Sequence, residues 1–260
     1  MCYAEKYAHV LKFSSKDESL LLSDLLQLPP QTRLNAMKSI TALSKYLGCY
    51  EQWQQMRKQH ALKWTTGGEA IQAMERFFDP GSSLEAMLSK IKKMIAVLPE
   101  PMGLVVKHAL CTGLRPSEAI ESAKLIQNSE TFPQYYDQKS MILGHYKWPN
   151  QFIKSTKKAY ISFVTREQLS GITVLGCRIP TYSAIRQASR HRGLNMDMHL
   201  TRKIHGSWLL KRGGLAAEEI DFLHGRSNPS VFSRHYLSAD NSLCSRVLAA
   251  TKNLMSEITV

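Results

Sequence analysis

Apolar residues recur at helical spacing through most of this chain. Leu34, Met37, Ile40, Leu43 and Leu47 stand three and four positions apart, as one face of an α-helix requires. Gly48 is the expected stop. Upstream, Leu20, Leu21, Leu22, Leu25 and Leu26 form an apolar stretch closed by Pro29 and Pro30. A third helix is expected to carry Trp53, Met56 and Arg57, and a fourth to run from Ala70 to Phe78. Asp79-Pro80-Gly81-Ser82-Ser83 then breaks the pattern and reads as a linker. Residues 1–80 are therefore expected to form one helical domain and residues 84–260 a second.

In the second part, Leu84–Leu98 and Met102–Thr112 carry helical periodicity. Gly113 ends the latter, and Pro116 suits the first turn of the next helix. Met141-Ile142-Leu143 and Ala159–Val164 have strand character, with a lysine-loaded connection between them. Helices are expected again at Tyr182–Arg190, Leu200–Arg212, Ala216–Leu223 and Leu243–Ser256, with Gly213-Gly214 as a stop after the second of these. The expected fold class is mainly α with a small antiparallel β-sheet.

Composition sharpens the functional reading. Hydrophobic residues make up 43% of the 260 positions, enough for a packed core and against global disorder. No apolar run reaches bilayer length, and the N-terminus has no apolar signal core, so a cytoplasmic, non-membrane protein is expected. Five scattered cysteines without a CxxC pair argue for reduced thiols and against a structural zinc site. The net charge is +13, and it is local. Residues 1–80 hold 10 Lys and Arg against 8 Asp and Glu, whereas residues 139–212 hold 14 against 2. A field of that size attracts a polyanion such as a nucleic acid, with a solvated basic face as the plainer alternative.

The chemistry lies in four segments. They are Thr112-Gly113-Leu114-Arg115-Pro116-Ser117-Glu118, the lysines Lys154, Lys157 and Lys158, His199-Leu200-Thr201-Arg202, and the run from Leu223 through Gly225-Arg226 to Tyr236. Each is commonplace alone: HxxR is more often a surface pair, and His224 reads as a local helix-end residue. Together they are a kit for cutting a phosphodiester without a metal. Guanidinium groups are planar, always charged and able to bond two phosphate oxygens. A tyrosine attacks when it is held in line among cations that favour its phenolate. His199 and Arg202, three apart, are expected on one face of a helical turn. Trp53, Trp64, Trp148 and Trp208 read as packing residues. No phosphate loop or carboxylate cluster calls for a nucleotide or metal cofactor.

The order of these segments resembles the tyrosine recombinase (integrase) family over residues 84–240. Thr112–Ala119 looks like the family's first arginine box and His199–Arg202 like its second. Two departures stand out: Arg226 stands after the glycine where the family usually has a histidine, or a tryptophan, and the spacing to the tyrosine is one residue longer than the commonest pattern. The segment Leu43–Gly48 with Trp53 looks like the helical core-binding domain of archaeal virus and plasmid integrases. The resemblance implies catalytic roles for Arg115, Lys154, His199, Arg202, Arg226 and Tyr236, with Lys157 and Lys158 as rivals for the hairpin lysine that protonates the leaving 5′ oxygen. It implies a clamp on duplex DNA in the nucleoid, a homo-tetramer at the synapse, and a C-terminal helix, Leu243–Ser256, packed on a neighbouring protomer. Genome integration through a 3′-phosphotyrosine would be the activity. A monomeric type IB topoisomerase and a DNA-binding protein with a decayed site are the alternatives.

Overall fold

The computed structural model describes residues 3–11, 18–64, 83–154, 158–194, 197–226 and 242–259, with only the backbone of residues 18–21. The expected helix at 70–78, the linker positions 79–82, Lys157 and Tyr236 lie outside the described residues. The chain divides into two compact units, Met1–Asp79 and Pro80–Val260. Each is described by itself.

The described residues of the first unit are mainly helical. A short α1 (Tyr3–Lys6) precedes α2 (Glu18–Leu26), α3 (Pro30–Tyr46) and α4 (Tyr50–Gln59). Its core gathers Tyr7, Val10, Leu22, Leu25, Met37, Ile40, Trp53 and Met56. The expected stripe of α3 holds at Leu34, Met37 and Ile40, then passes to Ser44, not to Leu47. Leu47 caps the helix end and is 57% exposed. A 3.6-residue repeat carried on from Ile40 reaches Ser44, so the drift is geometric. The buried indole of Trp53 donates to Thr41 Oγ1 at 2.8 Å.

The second unit opens with α5 (Leu84–Val97), capped by Ser83, whose Oγ accepts from the Ala86 N–H at 3.1 Å. Leu84, Met87, Leu88, Ile91 and Met94 are its buried face. Next come α6 (Glu100–Thr112), α7 (Pro116–Gln127) and the one-turn α8 (Phe132–Tyr135). Gly113 ends α6 with φ +65°, a left-handed conformation that suits glycine. A three-stranded antiparallel sheet follows in the order β1 (Tyr136–Asp137), β2 (Ile142–Leu143) and β3 (Ser162–Phe163). Tyr136 faces Leu143, and Leu143 faces Ser162. The one-turn α9 (Pro149–Phe152) lies between β2 and β3.

The strand expected over Ala159–Val164 is shorter than its sequence suggests. Its first residues bond elsewhere: the Ala159 N–H donates to Phe152 O, and Tyr160 O accepts from the Tyr146 N–H. Ile153 instead bridges Lys158 in antiparallel fashion, which brings the two ends of the lysine-rich hairpin segment together.

Further helices among the described residues are α10 (Arg166–Thr173), α11 (Tyr182–His191), α12 (His199–Lys211), α13 (Ala217–Leu223) and α14 (Ser242–Ile258). Helix α12 is central and packs on α5, α6, α13 and α14. Thr201, Ile204, His205, Trp208 and Leu209 form its buried stripe.

Helix α14 corrects one expectation. Leu243, Val247, Ala250, Leu254 and Ile258 are buried in the core of their own unit. The Trp208 indole donates to Ala250 O at 2.8 Å, and Arg246 pairs with Glu219. The apolar stripe read as a surface for a neighbouring protomer is spent within the chain.

Candidate active site

Helix ends build the site. Where α6 stops, the left-handed Gly113 turns the chain so that Arg115 begins α7. Glu118, one turn on, accepts from the Arg115 backbone N–H at 2.9 Å and from its guanidinium at 2.8 Å. That carboxylate is nearly buried, so it fixes the arginine at the turn.

Where α13 stops, Gly225 is again left-handed, with φ +59°. The Gly225 N–H donates to Phe222 O and the Arg226 N–H to Asp221 O, both at 2.8 Å. This paired closure of a helix C-terminus places Arg226 just beyond the end. Its guanidinium pairs with Asp221 at 3.1 Å.

Arg202 joins the two ends. It projects from α12 and donates to Gly113 O at 2.7 Å and to His224 O. Burial first, then the neighbouring Arg115 and Arg226 charges, pull its pKa down to about 10, with Glu118 and Asp221 opposing. It stays charged at neutral pH, in a place where its charge is poorly compensated. Such a position stabilises an arriving anion. Arg202, Lys203, Gly206, Asp221, His224 and Arg226 help line a cavity of about 270 Å³. Arg115 does not line it, but lies within electrostatic reach of Arg202.

The lysine hairpin adjoins this turn. A Cβ built on Gly225 would stand 1.5 Å from Lys158 O, so hairpin backbone rests directly on the Gly225 turn. Lys154 is exposed on the hairpin, and Lys158 is half-buried.

His199 lies elsewhere. Its ring meets Tyr182 edge-on at 6.1 Å, and it lines a separate cavity with Lys90, Arg186, Arg190, Asp197 and Lys203. Three-residue spacing keeps His199 and Arg202 on neighbouring sides of α12, but their surroundings draw them apart. Arg202 reaches the ends of α6 and α13, whereas His199 begins the helix beside α11.

No family model, no curated protein and no solved structure matches this chain. Among the described residues no group of three His, Cys, Asp or Glu side chains could hold a metal ion, and no helix is long and apolar enough to cross a membrane.

Sequence reading missed a buried histidine pair beneath the arginines. His205 Nδ1 and His224 Nε2 are 3.0 Å apart. A Cβ on Gly113 would lie 2.4 Å from His205 Nδ1 and 2.8 Å from His224 Nε2, so only glycine fits there. Burial pushes His205 down to about 3, and the Arg202 charge adds to this. Burial also depresses His224 strongly, helped by His205 and the arginines. A second polar chain lies deeper. His108 Nε2 is 2.8 Å from Ser122 Oγ; Tyr135 Oη links Ser122 Oγ at 2.8 Å to His145 Nδ1 at 2.6 Å. Burial pushes His108 down to about 4 and His145 to about 3.

These four histidines make the fold acid-sensitive. Each is neutral when folded and takes up a proton near pH 6.5 when unfolded. Their contribution is complete above that pH. It is lost as pH falls below 6.5 toward the folded values, by up to about 1.4 kcal/mol per pH unit for each. The urea midpoint is expected to drop steeply between pH 7 and pH 5. A flat midpoint over that interval would contradict the buried neutral assignment.

Proposed function

We propose that the protein is a DNA strand transferase of the tyrosine recombinase type. The observation that carries this reading is Arg202, held between two helix-end carbonyls with Arg115 and Arg226 in electrostatic range. Three guanidinium groups from remote parts of the chain make a field suited to one phosphodiester. Their fixed donors meet the charge that grows as phosphorus becomes five-coordinate.

In this reading the Tyr236 phenol loses its proton to solvent and its oxygen bonds phosphorus. The bond to the 5′ oxygen breaks, and that oxygen takes a proton from Lys154. The product is a 3′-phosphotyrosine. Reverse attack by a 5′ hydroxyl rejoins a strand without ATP, because the ester keeps the energy of the broken bond. Four protomers would exchange strands between two duplexes. With the apolar face of α14 committed to its own core, the protomers would meet through other surfaces.

A second reading, a DNA-binding protein without strand transfer, draws on Glu118 and Asp221. Each engages one arginine of the cluster. An arginine has five N–H donors, so a single ion pair does not exhaust it. A nicked suicide substrate separates the two readings. The wild type is expected to form a detergent-resistant DNA adduct, and Tyr236→Phe none. Tight duplex binding with no wild-type adduct would favour the second reading.

A further inference from the structure

We propose that the cavity around His199 is a second phosphate site, which holds a flanking backbone phosphate of the DNA strand whose reacting phosphate sits at Arg202. His199 is then a DNA-binding residue and takes no part in proton transfer. The inference rests on the strand-transfer reading but assigns a site that reading does not need.

The cavity measures about 490 Å³. Lys203 of α12, Lys90 of α5 and two residues of α11 supply its cations. Arg186 and Arg190 are one turn apart on α11. Like charges at that spacing weaken a helix. Among the described residues neither Arg186 nor Arg190 forms an ion pair. The lone carboxylate of the lining, Asp197, accepts from the His199 backbone N–H at 2.5 Å and so belongs to the start of α12. Arg186, Arg190 and Lys203 therefore outweigh one occupied anion around a space that a phosphate group fits.

Continuity between the two cavities points to the occupant. Lys203 lines this cavity and the Arg202 cavity alike. His199 and Arg202 are three residues apart on one helix, about 4.5 Å along its axis. A free anion would need one of these cavities. A ligand with phosphates repeated along a strand can fill both, and DNA carries a phosphate about every 3.4 Å of axis on each strand. Arg202 is tied to helix-end carbonyls, while His199 stands exposed against Tyr182. The two do not share one phosphate.

The test pairs duplex binding with adduct formation, using the full chain. In fluorescence titrations of a duplex over a range of salt, Arg186→Gln/Arg190→Gln is expected to reduce the slope of log affinity against log salt. Each phosphate that the variant no longer neutralises should flatten it by about 0.9. His199→Gln is expected to raise the DNA concentration for half-maximal adduct formation several-fold and to keep the rate at saturating DNA within about twofold. An unchanged salt slope and affinity in the double variant would overturn the site. A hundredfold fall in the saturating rate of His199→Gln with unchanged binding would overturn it too, and return His199 to the chemistry. ATP that protects Arg186 and Arg190 from arginine-directed modification while the duplex does not would also overturn it, in favour of a free polyphosphate. If the wild type forms no adduct, the strand-transfer reading fails, and the salt slope alone still decides the cavity.

Discussion

Arg202→Lys is expected to slow adduct formation by about 10²–10³ at saturating DNA, the usual loss when one fixed donor to a developing charge is removed. Lysine keeps a positive charge but offers a point, not a fork. It cannot hold Gly113 O and His224 O together and still face a phosphate. Arg202→Ala should be worse in a second way. It leaves two helix-end carbonyls without a partner, at about 1–3 kcal/mol for each that stays buried. The loss of rate in the lysine variant should therefore exceed its loss of stability, while the alanine variant loses both. Single-turnover rates on a nicked substrate, set beside urea midpoints, read the two effects separately. A lysine variant with wild-type rate would remove Arg202 from the chemistry.

Gly225→Ala should be nearly as damaging, for a reason that has nothing to do with charge. A left-handed φ of +59° costs an ordinary residue about 1–2 kcal/mol. The larger effect is steric: the new Cβ would stand 1.5 Å from Lys158 O and 2.4 Å from its carbonyl carbon. Both are backbone atoms, so the hairpin or the Arg226 turn must move. Displacement of about 1 Å at a reacting centre can cost about 10² in rate. Gly214→Ala is the control. It has φ +64° and nothing within 4 Å of a built Cβ, so it bears the strain without the collision. Adduct formation should fall about a hundredfold in the first variant and stay near wild type in the second. Equal rates would mean that the hairpin does not rely on this turn.

What the sequence made legible is mostly helical periodicity and its punctuation. Gly113 before Pro116 marked the turn that carries Arg115, because a left-handed residue and a fixed φ leave little choice there. Helices α5, α11 and α12 fell within a residue or two of their expected ends. Helix α10 was legible and overlooked: Thr165 and Gln168 form a capping box, with the Thr165 N–H donating to Gln168 Oε1 at 2.8 Å. The partner of α14 was not legible, since an apolar stripe records that a face is covered and not by what. The pairing of His205 with His224 was hidden for a similar reason. It joins two helices through the space under Gly113, and no local pattern encodes it. His199 shows the limit of motif spacing. Its distance from Arg202 along the chain is regular, yet neighbouring helices direct the two side chains into different cavities.

The most direct test is mass spectrometry of the peptide that keeps a nucleotide after wild-type protein reacts with nicked DNA and is digested. The account predicts a single modified peptide, with the 3′ phosphate esterified to Tyr236 and absent when Arg202 is lysine. A modified residue other than Tyr236, or a phosphate carried at the 5′ end, would contradict it.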